Sequence, residues 1–163
     1  MHFSQEGTNL LKDIEQLGLE PYDDQTGKQI NTWVKGATIG YGHLIHKSEW
    51  HLYKNTITQT QAEQLFKEDI APFVKAVNEA ITVALQQNQF DALLLLAYNI
   101  GVDGFKSCSA VKLVNDPNAN TAYPTLEDAW KAWNRSGGQV MQGLINRRNA
   151  ECKLYTQAIY AKW

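Results

Sequence analysis

The sequence predicts an α+β fold, a small antiparallel β lobe joined to a larger helical lobe with a cleft between them. Strand-like and helix-like stretches are segregated along the chain rather than alternating, which separates α+β from α/β. Residues 19 to 46 place Pro21, Gly27, Gly36, Gly40 and Gly42 among Tyr, Ile, Trp, Val and Thr, the composition of short strands and turns. From Thr58 onward a helical period takes over. At 163 residues the chain has the length of one domain with a substantial core. The organisation read from these patterns is a single domain, with a first helix over 1–18, a β lobe over 19–57 and a helical lobe over 58–163.

The first helix follows from Leu10, Leu11, Ile14 and Leu17 at helical spacing, with Gly18 placed to end it. The β lobe has turn signals at "DDQTGK" and "VKG". Thr58 and Gln61 form a capping box that opens the next helix. Its face runs through Ala62, Leu65, Phe66, Ile70, Phe73, Val74 and Val77, and Pro72 inside it predicts a kink or a break. "FDALLLLAYNIG" is apolar nearly all round, as in a helix buried at a domain centre. Further helices fit 106–115, 125–135 with Thr125 as the cap, and about 143–160. "NDPNANTAYPT" is the clear loop among them.

Composition narrows the function. Apolar residues make up 44% and charged residues 20%, with a formal charge of −2, which leaves no global nucleic-acid footprint. From Lys131 to Trp163 six Lys/Arg face one acid, Glu151, a pattern that reads as a solvated helix face. Cys108 and Cys152 have neither disulfide-framework nor metal-ligand spacing and read as reduced thiols. No metal or cofactor is implied. No run approaches the ~18 apolar residues of a membrane span. The polar, acidic start is no signal peptide, so synthesis is expected in the cytoplasm.

Two carboxylates stand out. Glu15 closes the first helix and borders its apolar stripe. Partial burial and the negative helix end both favour its protonated form, the state a general acid needs. Asp24 sits in the polar turn "YDDQTG", a setting for an ionised carboxylate. Such a pair is what glycosidic hydrolysis asks for. Downstream, "TIGYGH" spends two glycines on a strand, which marks a bend or a close approach. His43, at its end, reads as structural and paired with Asp69. His2, His46 and His51 read as surface residues.

Taken in order, "IEQLGLEPYDD", "GATIGYGHLI", "AYNIG" and "GLINRRNAE" resemble the phage-type lysozymes, the endolysin muramidases of glycoside hydrolase family 24. The resemblance runs from about residue 4 to about residue 157. The family pattern is a Glu near the end of the first helix, an Asp nine residues on, and a T-I-G-x-G-H strand; Glu15, Asp24 and Thr38 hold those places. There are two departures. Gln16 stands where the family has Gly, and "KQINTWVKG" separates Asp24 from Thr38 by fourteen positions. The Lys28–Gly36 segment is read as a lengthened β-hairpin, with Trp33 either a sugar-stacking platform or a lobe-core aromatic.

The resemblance implies a lysozyme-like fold and hydrolysis of the β-1,4 bond between N-acetylmuramic acid and N-acetylglucosamine in peptidoglycan, with inversion. Glu15 is then the acid, and Asp24 with Thr38 holds the water. Gly40 and Gly42 keep the cleft floor free of side chains. Substrate contacts are implied at Leu44, Tyr98 and Asn99, with Trp33 a further candidate. Arg147 supports the acid, and Arg148 is expected at the surface. The implied partners are glycan strands, with no nucleic acid and no stable protein partner, so a monomer. The implied role is host lysis in the periplasm and cell wall after a holin opens the membrane. A lytic transglycosylase, an inert cell-wall-binding or tail-associated domain, and a secreted effector stay open as alternatives.

Overall fold

The computed structural model describes all residues from Met1 to Trp163. They form two compact units, Leu11–Ala71 and the combination of Met1–Leu10 with Pro72–Trp163. The strand-bearing unit is therefore wider than the 19–57 read from the sequence. It takes in the last turn of the first helix and the first half of the long one.

In the unit Leu11–Ala71 the end of helix α1 (Gln5–Glu15) leads into a three-stranded antiparallel sheet. Its strands are β1 (Gly18–Asp23), β2 (Ala37–Gly40) and β3 (His43–Leu44), in that spatial order. Tyr22 lies opposite Thr38, which lies opposite Leu44 on its other side. The expected turns form: Gly27 N–H reaches Asp23 O at 2.7 Å, and Ala37 N–H reaches Val34 O at 3.0 Å. The lengthened hairpin does not. Between Lys28 and Gly36 the only ladder contact is an isolated bridge from Tyr22 to Gln29, and the rest is irregular. A 3-10 turn (Lys47–Glu49) and the short α2 (Trp50–Tyr53) lead to α3 (Gln59–Ala80). The capping box is as read: Gln61 N–H donates to Thr58 Oγ1 at 3.1 Å, and Thr58 N–H to Gln61 Oε1 at 2.7 Å. Pro72 does not break α3. The helix runs through it for 22 residues, and the boundary between the compact units falls at this proline.

The first helix ends earlier than Gly18. Gln16 adopts φ +58°, its N–H bonds to Lys12 O at 2.9 Å, and Gly18 already belongs to β1. A side chain with a Cβ thus occupies the left-handed position that a glycine would take without strain.

The other unit is built on α4 (Gln87–Ile100), whose residues Phe90 to Ala97 are all buried, as its apolar composition requires. It packs against α8 (Gln142–Gln157). Between them come α5 (Val102–Ser107), α6 (Ser109–Asn115) and α7 (Leu126–Lys131). The single helix expected over 106–115 is two, parted by the extended backbone of Cys108. The helix expected over 125–135 stops at Lys131 and gives way to a hairpin, β4 (Arg135–Ser136) and β5 (Gln139–Val140). Gly137 and Gly138, both at positive φ, make its turn. Thr125 caps α7 as expected, accepting from Asp128 N–H at 3.1 Å. Both cysteines are free, and burial pushes the Cys152 thiol up to about 12.

One buried polar knot organises this unit. The fully buried Asp91 carboxylate accepts from Ser4 N–H (3.1 Å), the Ser4 hydroxyl, Gln87 Nε2 (2.9 Å) and the Tyr160 hydroxyl (2.7 Å). Ser4 also caps the first helix, its Oγ accepting from Gly7 N–H at 2.9 Å. Neutral donors thus satisfy the carboxylate, the condition for burying it.

Candidate active site

Glu15 is the last residue of α1 and half-buried. Its carboxylate occupies space left open by a glycine: a Cβ on Gly42 would lie 2.7 Å from Glu15 Oε2 and 3.3 Å from its Cδ. Gly42 also has φ +79°, so the turn after β2 needs glycine for two independent reasons. This answers why "TIGYGH" carries its second glycine. Gly40 serves the backbone, with φ +67° and Ala62 at ordinary contact distance.

The helix end is fixed by a cluster beside it. Lys12 pairs with Glu63 of α3 and lies 5.1 Å and 5.2 Å from the ring centres of Tyr41 and Phe66. The Tyr41 hydroxyl donates to Glu63 Oε1 at 3.0 Å. The hydrogen bond from Lys12 holds the Glu63 carboxyl below its ordinary range, and desolvation pushes the Tyr41 hydroxyl up.

Asp24 is exposed in the turn after β1, with its N–H on Gly36 O at 3.0 Å. A Cβ on Gly36 would press on the Asp23 and Asp24 carboxylates, so a side chain there would push both aside. Thr38, on β2, is 4% exposed, and its hydroxyl donates to Gly36 O at 3.0 Å. That bond uses the hydroxyl proton and leaves oxygen lone pairs to accept from a water.

Tyr22 links these groups and was not singled out from the sequence. It faces Thr38 across the strand pair. Desolvation, then the charges of Glu15 and Asp24, raise its hydroxyl above the ordinary tyrosine value. Both carboxylates are therefore within electrostatic reach of one side chain on β1. Its ring lies over Gly18, where a Cβ would come within 2.7 Å of Tyr22 Cε1. Glu15, Gly18, Tyr22 and Gln29 line one groove of about 630 Å³.

Leu44 is 47% exposed and sits directly opposite Thr38. Trp33 is half-buried, its indole N–H donating to Ile45 O at 2.8 Å and Lys47 Nζ lying 5.8 Å from its ring centre. His43 donates from Nδ1 to Asp69 Oδ2 at 2.8 Å, has Glu49 Oε2 3.7 Å from Nε2, and packs edge-on to Tyr53. The bond to Asp69 raises its basicity against the opposing effect of desolvation. The pairing expected from the sequence is present. His2, His46 and His51 are exposed, as expected.

Tyr98, Asn99 and Arg147 belong to the other unit. Tyr98 packs against Phe73 with ring centres 5.0 Å apart. Arg147 is buried, bonding from Nε to Glu151 Oε1 at 2.9 Å and from NH2 to Leu95 O at 3.2 Å. The surface expectation for Arg148 is wrong. It is 1% exposed, donates at 2.6 Å to each Glu151 oxygen and at 2.8 Å to Trp133 O, and also bonds to Asn99 Oδ1. Trp130 Nε1 completes the set on Glu151 at 2.9 Å. The signal for Glu151 was in the sequence: it stands four residues after Arg147 and three after Arg148, the spacings at which helical side chains meet.

A helix-terminal glutamate set against a three-stranded sheet that carries Asp24 and Thr38, together with a separate helical unit around a buried central helix, defines an α+β protein of the lysozyme type. The phage lysozyme family model matches residues 12–151, and the chain belongs to that family. It is 42% identical to the endolysin of Bacillus phage PZA, over 95% of this chain and 55% of that protein. It is 35% identical to the endolysin of Acyrthosiphon pisum secondary endosymbiont phage 1, over 97% of this chain and all of that one. The chain spans about half the length of its relatives in Bacillus phages PZA and B103. Among solved structures it is similar to an endolysin from Escherichia coli O157:H7 phage FAHEc1, with TM-score 0.77 and 33% identity over 99% of this chain and 98% of that one. It is also similar to the muramidase domain of SpmX from Asticaccaulis excentricus, with TM-score 0.72 and 28% identity over 96% and 98%.

Proposed function

We propose that the protein is an endolysin that hydrolyses the β-1,4 bonds between N-acetylmuramic acid and N-acetylglucosamine in peptidoglycan. The observation that carries this reading is Tyr22, which faces Thr38 across the strand pair and is acted on by the charges of both Glu15 and Asp24. Glu15 donates a proton to the leaving glycosidic oxygen. Asp24 and the Thr38 hydroxyl hold the attacking water and oppose the positive charge that develops on the sugar ring. Hydrolysis consumes one water per bond and leaves a new reducing end. Leu44, Tyr98 and Asn99 contact the glycan, with Trp33 a further candidate, and Arg147, His43 and Asp69 keep the scaffold in register. The protein acts as a monomer on glycan strands of the cell wall, reached after a holin opens the membrane. No helix is long and apolar enough to cross a membrane.

The test is Glu15→Gln, which keeps shape and loses the proton. General acid catalysis is worth ~10²–10⁴-fold, so cleavage of purified peptidoglycan falls by at least about a hundredfold while the melting temperature holds. A variant with half the wild-type rate overturns the mechanism. Mass analysis of the wild-type products shows reducing ends; anhydro ends would make the enzyme a lytic transglycosylase.

A further inference from the structure

Apart from Trp33, the Lys28–Gly36 segment that lengthens the path from Asp24 to Thr38 has no part in the mechanism above. Its first residues run along the edge of β1. Asp23 N–H donates to Lys28 O at 2.9 Å, and Ile30 N–H to Pro21 O at 3.1 Å. The stretch after α2 meets β1 two residues further back, with Ile57 N–H on Leu19 O at 2.9 Å. Glu20 and Pro21 of β1 thereby line a recess of about 410 Å³, with residues 29–31 on one side and 54–56 on the other. The recess is continuous with the groove that holds Glu15, because Glu20, Gln29 and Thr56 line both.

Glu20 ties the two walls together. Its Oε2 accepts from Gln29 Nε2, and its Oε1 from Thr56 Oγ1 at 3.3 Å. Both donors are neutral, so the carboxylate keeps its charge unmatched and has lone pairs to spare. Lys54 is exposed and stands in no ion pair, and an ammonium offers three donors. A held anion and a free cation thus line one recess without neutralising each other.

That combination selects among the chemical parts of peptidoglycan. The two sugars bring no free charge once the lactyl carboxyl is in amide linkage to the peptide stem. The stem brings both signs, free carboxylates and, wherever it is not cross-linked, a free amine. An all-anionic ligand would be repelled by Glu20. Reach is sufficient. Glu20 stands two residues before Tyr22, whose hydroxyl feels the Glu15 charge, which is roughly 7 Å along a strand. A stem of three residues extends to about 10 Å.

We propose that the recess takes the peptide stem of a glycan strand bound at Glu15, with the Lys54 ammonium on a stem carboxylate and the Glu20 carboxylate on a stem amine. The proposal rests on the glycan-cleaving reading and makes the Lys28–Gly36 segment a determinant of which stems are accepted.

The test titrates the full chain carrying Glu15→Gln with two probes. One is the disaccharide of N-acetylglucosamine and N-acetylmuramic acid, capped as its lactyl amide; the other is the same disaccharide bearing an alanyl-isoglutamyl-lysine stem. The stem-bearing probe binds about fivefold more tightly, the upper scale of an exposed ion pair, and the advantage shrinks at high salt. Lys54→Met abolishes most of that advantage, Lys54→Arg retains it, and Glu20→Gln reduces it. Affinity for the stem-free probe stays within about twofold of the parent, and Lys54 variants melt with the parent because no side-chain bond is lost. With Glu15 intact, Lys54→Met raises KM on peptidoglycan and leaves kcat within about twofold, as loss of ground-state binding does. A stem preference equal in the parent and in Lys54→Met, or no preference in the parent, overturns the proposal. So does an equal loss for both probes, which would make Lys54 part of the sugar site. Cleavage without stem preference leaves the glycosidase reading standing, whereas failure of the wild type to release reducing ends from peptidoglycan refutes that reading whatever the probes show.

Discussion

Glu151→Gln is the substitution that most severely tests the account of the helical unit. The side chain is 0% exposed and serves as the anion for two guanidiniums, of Arg147 and Arg148, whose side chains are 7% and 1% exposed. Its oxygens accept from Arg147 Nε, twice from Arg148 NH1, and from Trp130 Nε1, at 2.6–2.9 Å. Glutamine preserves the volume but removes the charge and turns one acceptor into a donor facing other donors. Two buried cations then share no anion, and breaking a buried pair in this way costs about 3–5 kcal/mol. That is a large share of the roughly 5–15 kcal/mol that holds a domain together. At about 2–4 °C per kcal/mol for a chain of this size, the melting temperature falls by roughly 6–20 °C. Trp130→Phe is the control. It removes one donor while Arg148 still satisfies the same oxygen, and with the void left by the smaller ring in a fully buried site it costs about 1–3 kcal/mol. Calorimetric melts of the two variants decide the matter. A Glu151→Gln melting temperature no lower than that of Trp130→Phe would refute the network as a stabilising unit.

Other substitutions test the site's scaffold. Gln16→Gly relieves a left-handed residue worth about 1–2 kcal/mol of strain and returns about 0.5–1 through unfolded-chain entropy, so the protein gains about 0.5–1 kcal/mol in denaturant unfolding; a loss would contradict the strain argument. Gly42→Ala places a methyl 2.7 Å from Glu15 Oε2 at φ +79°. It lowers stability by about 1–2 kcal/mol and peptidoglycan cleavage by up to about a hundredfold through displacement of the acid, and a fully active variant would show that the carboxylate does not need that space. His43, raised by its bond to Asp69, contributes stability that is complete below its unfolded pKa and fades as pH climbs through the raised folded value. His43→Asn therefore costs about 1–2 kcal/mol near pH 5.5 and much less near pH 9; equal losses at both pH values would remove the charged pair.

The sequence was most readable where one local rule and the tertiary fold agree. The Thr58–Gln61 box and the Thr125 cap depend on residues three apart, and both formed. The run from Phe90 to Ala97, apolar apart from Asp91, is buried throughout. The His43–Asp69 pair was expected and is present. Reading failed where tertiary context overrode a local preference. Gly18 looked like the helix stop because glycine is the usual left-handed residue, yet the chain reversed two residues sooner at Gln16. Pro72 looked like a breaker, yet α3 continues through it. Arg148 reads as a surface residue beside a supporting Arg147, yet both are buried. Which side of α8 each faces, and that Glu151 neutralises both, depends on packing against α4 and α7, which no local window contains. Tyr22 was invisible for the same reason, since its importance lies in cross-strand register.

The knot at Asp91 has a consequence for synthesis. Ser4 precedes that carboxylate by 87 residues and Tyr160 follows it by 69. Chains leave the ribosome amino end first and their parts fold as they emerge. During translation, therefore, the helix begun at Ser4 can meet Asp91 long before Tyr160 exists. The carboxylate gains its last donor only when residue 160 clears the exit tunnel, so a nascent chain holds its first turn with an incomplete set of bonds. Completion of the helical unit is thereby timed to the end of this stretch of the message, and a stalled or prematurely terminated chain remains easier for proteases to open.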